Sequence, residues 1–298
     1  IFAYEFGVNA DNVDTGATSP ITGRHSYVGL AGSLGKVMVG TLDGGNDSTA
    51  PLYNQASKYL LNGNNNAGSL TIVGSSPFFD VDAFDATSSS FALVNRDQRV
   101  NNAIGYSGNI AGVAITARHA LNGANSNAGD LTAVENRARS TEIAADYSMG
   151  ALSFGGGIAN YDYANGTESG QIDRTIQLGV SYKFGAFTVA GLYGTTDFNR
   201  DTVTGADAEI DEFGISGAFS LSANSGITAA YVSTDAEFTE PGVATEKADG
   251  DQIQIMYFYD FSKRTRVYTG LNQTTIEEKA TNSEIEATSY VVGLRHNF

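Results

Sequence analysis

Large apolar side chains alternate with polar ones along most of the chain, which is the pattern of β-strands with one apolar face. In residues 172–184, one face carries Ile176 and Leu178, and the opposite face carries Gln177 and Lys183. Similar alternation recurs from the first residue to the last. It predicts about fourteen strands, near residues 1–8, 22–31, 35–42, 98–107, 110–121, 138–149, 151–161, 172–184, 186–197, 208–221, 225–236, 250–261, 264–276 and 285–298.

The connections between these segments alternate in length. Tight turns are predicted at Gly108-Asn109, Gly150, Gly185-Ala186, Asn224-Ser225 and Ser262-Lys263, and long polar loops at 122–137, 162–171, 198–207, 237–249 and 277–284. Short turns at one end and long loops at the other are typical of an outer-membrane β-barrel. A soluble β-sandwich gives similar alternation with its apolar faces turned inward. Aromatic residues on the apolar faces, several close to strand ends, favour the barrel because a membrane interface attracts them.

Composition permits a membrane barrel and excludes other classes. The 298 residues are 41% hydrophobic, and no apolar run approaches the ~18 residues that a membrane helix needs. A barrel needs no such run because only alternate residues face lipid. The chain has no cysteine, which excludes disulfides and thiolate metal sites. Its net charge of -16 argues against binding nucleic acid.

One segment, Asp43 to Asn95, is far longer than an ordinary connection. It contains Gly/Asn/Ser-rich stretches and an aromatic, acidic cluster from Ser75 to Asp85. One interpretation is a surface loop with a short helix near Pro51 to Leu61. We favour a loop folded inward, because aromatic side chains are costly to leave in water and would anchor it against a wall. Residues 43–95 would then form a constriction inside a single domain spanning 1–298.

Two motifs near the end of the chain carry a family resemblance. They are Tyr259-Asp260-Phe261-Ser262-Lys263-Arg264-Thr265 in the penultimate hairpin and Gly293-Leu294-Arg295-His296-Asn297-Phe298 at the terminus. Both closely resemble signatures of the general porins of Gram-negative outer membranes, in the branch with SKRT and GLRHxF motifs. The segments Gly23 to Gly40 and Arg99 to Leu121 are also similar to strand pairs of that family.

The resemblance implies a sixteen-stranded, antiparallel all-β transmembrane barrel that forms a homotrimer in the Gram-negative outer membrane. It implies passive diffusion of ions and small hydrophilic solutes, without enzymatic activity or a cofactor. In the family, two strands precede the one that Ile1 enters, so we expect them to be absent from this sequence. The family's terminal aromatic strand is recognised by the outer-membrane assembly machinery, which suggests that role for Phe298.

The family narrows its pore with acids on the inward-folded loop that face basic residues on the opposite wall. The resemblance places Asp80, Asp82 and Asp85 among the acids. It places Arg99 on the wall, and alternation puts Arg118 and Arg295 on the same inward side. An ion pair within the wall or a rim contact is the alternative for each arginine. After VMVG the family commonly has an arginine where this chain has Thr41, which weakens the basic side.

The sequence gives little support for a catalytic site or a metal site. The histidines are His25, His119 and His296, and the last two fall on apolar faces near strand ends, which suits a membrane interface better than catalysis. The acidic stretch with Asp207, Glu209 and Asp211 offers oxygen ligands for loop-bound calcium or magnesium that would bridge to lipopolysaccharide. Solvation of the loop is the simpler interpretation.

Two functions remain open from the sequence. A porin with a negative lumen would prefer cations mildly, because the negative field concentrates them. Alternatively, the long segment plugs the barrel, and the acidic loops act as an adhesin or structural surface.

Overall fold

A single antiparallel sheet dominates the structure, a computed structural model that describes residues 1–8, 21–43, 51–60, 99–121, 137–163, 171–199, 207–239, 241–242 and 244–296. Its 14 strands follow one another in chain order, each paired with its sequence neighbours. The strands are β1 (Phe2–Val8), β2 (Ile21–Gly32), β3 (Gly35–Asp43), β4 (Arg99–Ile110), β5 (Val113–Ala120), β6 (Arg137–Met149), β7 (Leu152–Tyr163), β8 (Gln171–Phe184), β9 (Phe187–Asn199), β10 (Asp207–Ser222), β11 (Ser225–Thr239), β12 (Glu246–Ser262), β13 (Thr265–Glu278) and β14 (Ser283–His296).

The all-β class and the predicted number of strands are confirmed, whereas one turn was predicted wrongly. The β4–β5 turn lies at Ala111-Gly112, three residues after Gly108-Asn109. Both Ala111 and Gly112 have positive φ, at 53° and 88°, which suits a two-residue hairpin turn. The Asn109 side chain accepts a hydrogen bond from the Gly112 amide at 3.0 Å and so stabilises this turn.

Strands β11 and β12 extend further toward the loop that joins them than the hydrophobic pattern indicates. The β11–β12 pairing continues to Phe238 and Glu246, so the predicted loop at 237–249 is largely strand. Polar residues can extend a ladder because pairing satisfies their backbone groups while their side chains stay in water. The apolar pattern therefore marks the part of each strand inside lipid and not the whole strand.

The two faces of the sheet differ in chemistry, and we call them the outer and inner faces. The outer face exposes large apolar side chains, with Leu178 59%, Phe213 53% and Ile255 48% exposed. A soluble sandwich would bury these side chains, so that alternative is wrong. An exposed apolar face of this extent suits lipid.

Aromatic rings gather on the outer face near the end of the sheet with two-residue turns, which we call the short-turn end. Phe184 lies 5.6 Å from Phe187, and Phe187 lies 4.2 Å from Phe219, measured between ring centroids. Tyr259 and Phe261 form another pair at 5.1 Å. This placement is that of an interfacial aromatic girdle.

A helix, α1 (Pro51–Tyr59), lies within the long segment between β3 and β4. It packs on the inner face, chiefly against β6, β7 and β8. Proline suits the first position of a helix, and Lys58 in the last turn complements the negative end of the helix dipole. Among the described residues, no helix combines the length and apolarity needed to cross a membrane.

Candidate functional site

The inner wall that receives α1 carries three glycines at its points of closest approach to the helix, and we call them the glycine wall. Gly157 on β7, Gly179 on β8 and Gly214 on β10 lie beneath the helix segment. A Cβ atom added to them would overlap Leu52, the Tyr59 ring and Leu60, respectively. The missing side chains therefore create the space that the helix fills.

Apolar side chains of the wall surround the C-terminal end of α1. Tyr59 and Leu60 form a buried cluster with Leu192, Ala230 and Val232 of the wall. The Ser216 hydroxyl donates to the Tyr59 carbonyl oxygen at 3.2 Å, satisfying a backbone group at the end of the helix. A nine-residue helix is marginal by itself in water, so this packing stabilises it.

A single carboxylate ties the polar side of α1 to the wall. Asp146 on β6 accepts hydrogen bonds from Lys58 Nζ and the Tyr59 hydroxyl, both at 2.7 Å, and from the Gln55 side-chain amide. Burial raises the pKa of Tyr59, and the hydrogen bond and negative charge of Asp146 raise it further. We call this group, Asp146 with its three partners, the helix anchor.

The anchored helix lies near the middle of the membrane-spanning height. Gly157, Gly179 and Leu192 are each five residues from the short-turn end of their strands. With about 3.3 Å per residue and a tilt of about 45°, five residues rise about 12 Å, roughly half of an apolar band about 25 Å tall. The helix therefore occupies the depth at which a narrowing would control passage.

Arg118 and Glu142 form a buried ion pair in the wall beside this region. They are direct cross-strand partners on β5 and β6, and their side chains are 0% and 2% exposed. Arg118 Nε donates to Glu142 Oε1 at 3.1 Å, and Nη2 makes a second bond to the same oxygen. The charge of this predicted pore arginine is thus balanced by a neighbouring carboxylate.

Most of the other predicted constriction residues lie outside the part of the chain that the structure describes. Asp80, Asp82 and Asp85 lie outside the described residues. Arg99 begins β4, paired with Asp43, and its side chain also lies outside the described set. Arg295 is on the inner face but at the short-turn end, directly opposite Arg266 and away from α1.

The carboxylates offered as divalent-cation ligands lie at the opposite, long-loop end. Asp207, Glu209 and Asp211 alternate along β10 and border a recess of about 420 Å³. Within the described ranges, no three acidic or histidine side chains are placed to hold a metal ion. Nearby, Lys279 contacts Asp249 and Glu277 at 2.6 and 2.7 Å, and hydrogen bonds to these carboxylates raise its pKa.

The two outer-face histidines pair with threonines across the strands. His119 Nδ1 lies 2.8 Å from the Thr141 hydroxyl, and His296 Nδ1 lies 2.8 Å from the Thr265 hydroxyl. They occupy different ends of the sheet.

Sequence reasoning missed the helix anchor and the glycine wall. The alternation of inward and outward positions along the strands could have predicted both. Gly155, Gly157 and Gly179 fall at inward positions of adjacent strands, where a run of missing side chains indicates close approach by another element. Asp146 shares that inward face and is the direct cross-strand partner of Gly155.

An antiparallel sheet with an apolar outer face, an aromatic girdle and a helix on its inner face defines a transmembrane β-barrel channel. A family model described as Gram-negative porin matches residues 1–279. The chain belongs to the Gram-negative porin family. It is a channel protein of the cell outer membrane and not an enzyme.

Solved structures with this fold come from several organisms. The anion-selective porin from Comamonas acidovorans is 24% identical, with a TM-score of 0.69 over 100% of this chain and 84% of that one. The trimer form of OmpT from Vibrio cholerae is 13% identical, with a TM-score of 0.61 over 99% and 85%. The outer membrane channel DcaP of Acinetobacter baumannii is 11% identical, with a TM-score of 0.60 over 100% and 80%. No curated protein sequence matches the chain.

Proposed function

We propose that this channel passes ions and small hydrophilic solutes by passive diffusion, and that residues 43–95 narrow it. The observation that supports the proposal most directly is the docking of α1 on the inner wall near mid-height. A segment anchored there reduces the open cross-section, whereas a surface loop would leave the lumen wide.

The charges of the narrowing favour cations mildly. Asp80, Asp82 and Asp85 supply the acidic side of the proposed constriction, and Arg99 supplies the basic side. Arg118 adds little net positive charge because Glu142 balances it, and Arg295 stands at the mouth. A narrow point with more acid than base concentrates cations, and added salt screens the effect.

The proposed assembly is a homotrimer of sixteen-stranded barrels. The trimer form of a neighbour with the same fold supports this proposal. Outer-face carboxylates at the long-loop end, such as Glu209 and Asp235, would face lipopolysaccharide, with calcium or magnesium between the anionic groups. The last strand would contact the assembly machinery through its terminal aromatic residue.

Planar-bilayer recording tests the function. The purified protein should give stepwise openings in groups of three, and a salt gradient should give a reversal potential on the cation side. A clear anion-side value would contradict the ion preference alone. A folded barrel that inserts but stays silent would contradict diffusion and favour the plugged adhesin.

A further inference from the structure

A recess of about 510 Å³ lies at the short-turn end of the inner wall. It is bordered by the β12–β13 turn, Arg266 on β13, Arg295 on β14 and the neighbouring turn at Ala223-Asn224. It is separate from α1 and from the acidic recess at the long-loop end.

The β12–β13 turn has a fixed shape that projects two cations. The Ser262 hydroxyl oxygen accepts hydrogen bonds from the backbone amides of Arg264 and Thr265, both at 3.1 Å. The Asp260 amide donates to the Asn224 carbonyl oxygen at 2.7 Å and ties this turn to its neighbour. Lys263 and Arg264, the two residues at the tip of the turn, are exposed.

The remaining two cations are held on the wall. Arg266 Nε and Nη2 bond to the two oxygens of Asp260 at 2.6 and 2.8 Å, and its guanidinium lies 4.2 Å from the Phe258 ring centroid. Arg295 is its direct cross-strand partner on the same face. Asp260 balances one of these two positive charges, and the recess keeps the excess positive charge of its other cations.

The chemistry of the recess is unusual for this chain. Four cations and one carboxylate give its lining a formal charge of +3, in a protein whose net charge is -16. The recess at the other end has six carboxylates and one lysine, for -5. Guanidinium groups match oxyanions geometrically through paired hydrogen bonds, which chloride cannot use.

We propose that this recess is a binding site for small multivalent oxyanions, such as phosphate and phosphate-bearing solutes, at the short-turn end, which faces the periplasm in outer-membrane barrels. Lys263 and Arg264 close over the anion from the turn, and Arg266 and Arg295 contact it from the wall. The site acts by concentrating such solutes at one mouth, whichever small ion the narrowing prefers.

Inorganic phosphate is the probe, and binding is measured by isothermal titration and by ³¹P line broadening on the folded, detergent-solubilised protein. Neither readout requires conduction, so failure of the site and failure of the channel are distinguishable. The variant K263Q/R264Q changes only exposed turn positions. The matched control, K247Q/K279Q, removes the same charge at the long-loop end.

We expect saturable phosphate binding that falls at least about tenfold in affinity in K263Q/R264Q and less than about twofold in the control, because only the former removes charge-assisted contacts. Sulfate should compete, and chloride at equal ionic strength should not. If both variants lost the same phosphate affinity, net charge alone would explain the loss, and the proposal would be overturned. Non-saturable binding to the unchanged protein would also overturn it.

Discussion

The two faces of the same strands, β6 to β10, obey different rules. On the outer face, side chains are large and apolar and need only be compatible with lipid, as at Leu178 and Phe213. On the inner face, particular positions are matched to particular partners, as Gly179 is to the Tyr59 ring and Asp146 is to Lys58. The outer face is a solvent boundary, whereas the inner face is a specific interface.

Among substitutions that test the difference between the two faces, we expect the largest change in the free energy of unfolding from one on the inner face. Glu142→Leu leaves Arg118 buried without its carboxylate, so we expect a loss of about 3–5 kcal/mol in the free energy of unfolding. Denaturant unfolding in detergent measures it. The double variant Arg118→Met with Glu142→Leu should recover most of the loss, and a double variant no more stable than the single one would contradict the assignment.

On the outer face, the effect should depend on depth and not on a partner. Leu178→Lys places a charge near the middle of the apolar band, and we expect a loss of about 2–4 kcal/mol. Tyr182→Lys, on the same face but closer to the short-turn interface, should cost about 0–1 kcal/mol. Unfolding from lipid vesicles compares the two, and equal losses would argue against lipid on this face.

The glycine wall predicts that one added methyl group disturbs the helix. In Gly179→Ala, the new Cβ overlaps the Tyr59 ring, and overpacking of this kind costs about 1–3 kcal/mol. Single-channel conductance should change as α1 shifts. Gly217→Ala is the control, since its nearest atom would be the Thr188 carbonyl oxygen at 3.8 Å. Identical conductance in both variants would mean that α1 does not limit the pore.

The helix anchor predicts a smaller loss. Asp146→Asn keeps an acceptor for Lys58 and Tyr59 but removes the negative charge, and we expect about 1 kcal/mol of destabilisation. In a Lys58→Met background, the same change should cost less, because the charged partner is already gone. Strict additivity of the two changes would exclude a direct interaction between them.

The smallest expected effect is a pH dependence of the free energy of unfolding that comes from Tyr59. Because the pKa of Tyr59 is raised in the folded protein, its neutral hydroxyl contributes stability below the ordinary tyrosine pKa of about 10, and that contribution falls as pH rises further. The difference in unfolding free energy between wild type and Tyr59→Phe should therefore shrink above about pH 10. Tyr182→Phe, on the outer face, serves as the control. A constant difference across this range would contradict the contact.

The outer face could be predicted from the sequence because lipid imposes one simple requirement at every second residue. That requirement placed Leu178, Ile255 and aromatic residues such as Tyr182 and Phe213 correctly. It failed at Ala111-Gly112, where local backbone conformation decides the turn, and beyond Glu237, where polar strands leave the lipid.

The inner face could be predicted only in part. Alternation assigned Arg118 to that face, but its pairing with Glu142 depends on register between neighbouring strands. The docking of Tyr59 against Gly179 depends on a contact between residues 120 positions apart. A periodic pattern records which side a residue faces, and it does not record what approaches from that side.

The glycine wall also has a consequence for the order of folding. The helix precedes its receptor in the chain, since Lys58 contacts a residue 88 positions later and Tyr59 one 157 positions later. Contacts of such long sequence separation carry a large closure entropy and need their wall in place first. We therefore expect α1 to dock late in the maturation of the barrel. Before that step, the newly inserted barrel would have a wider lumen and conduct more than the mature channel.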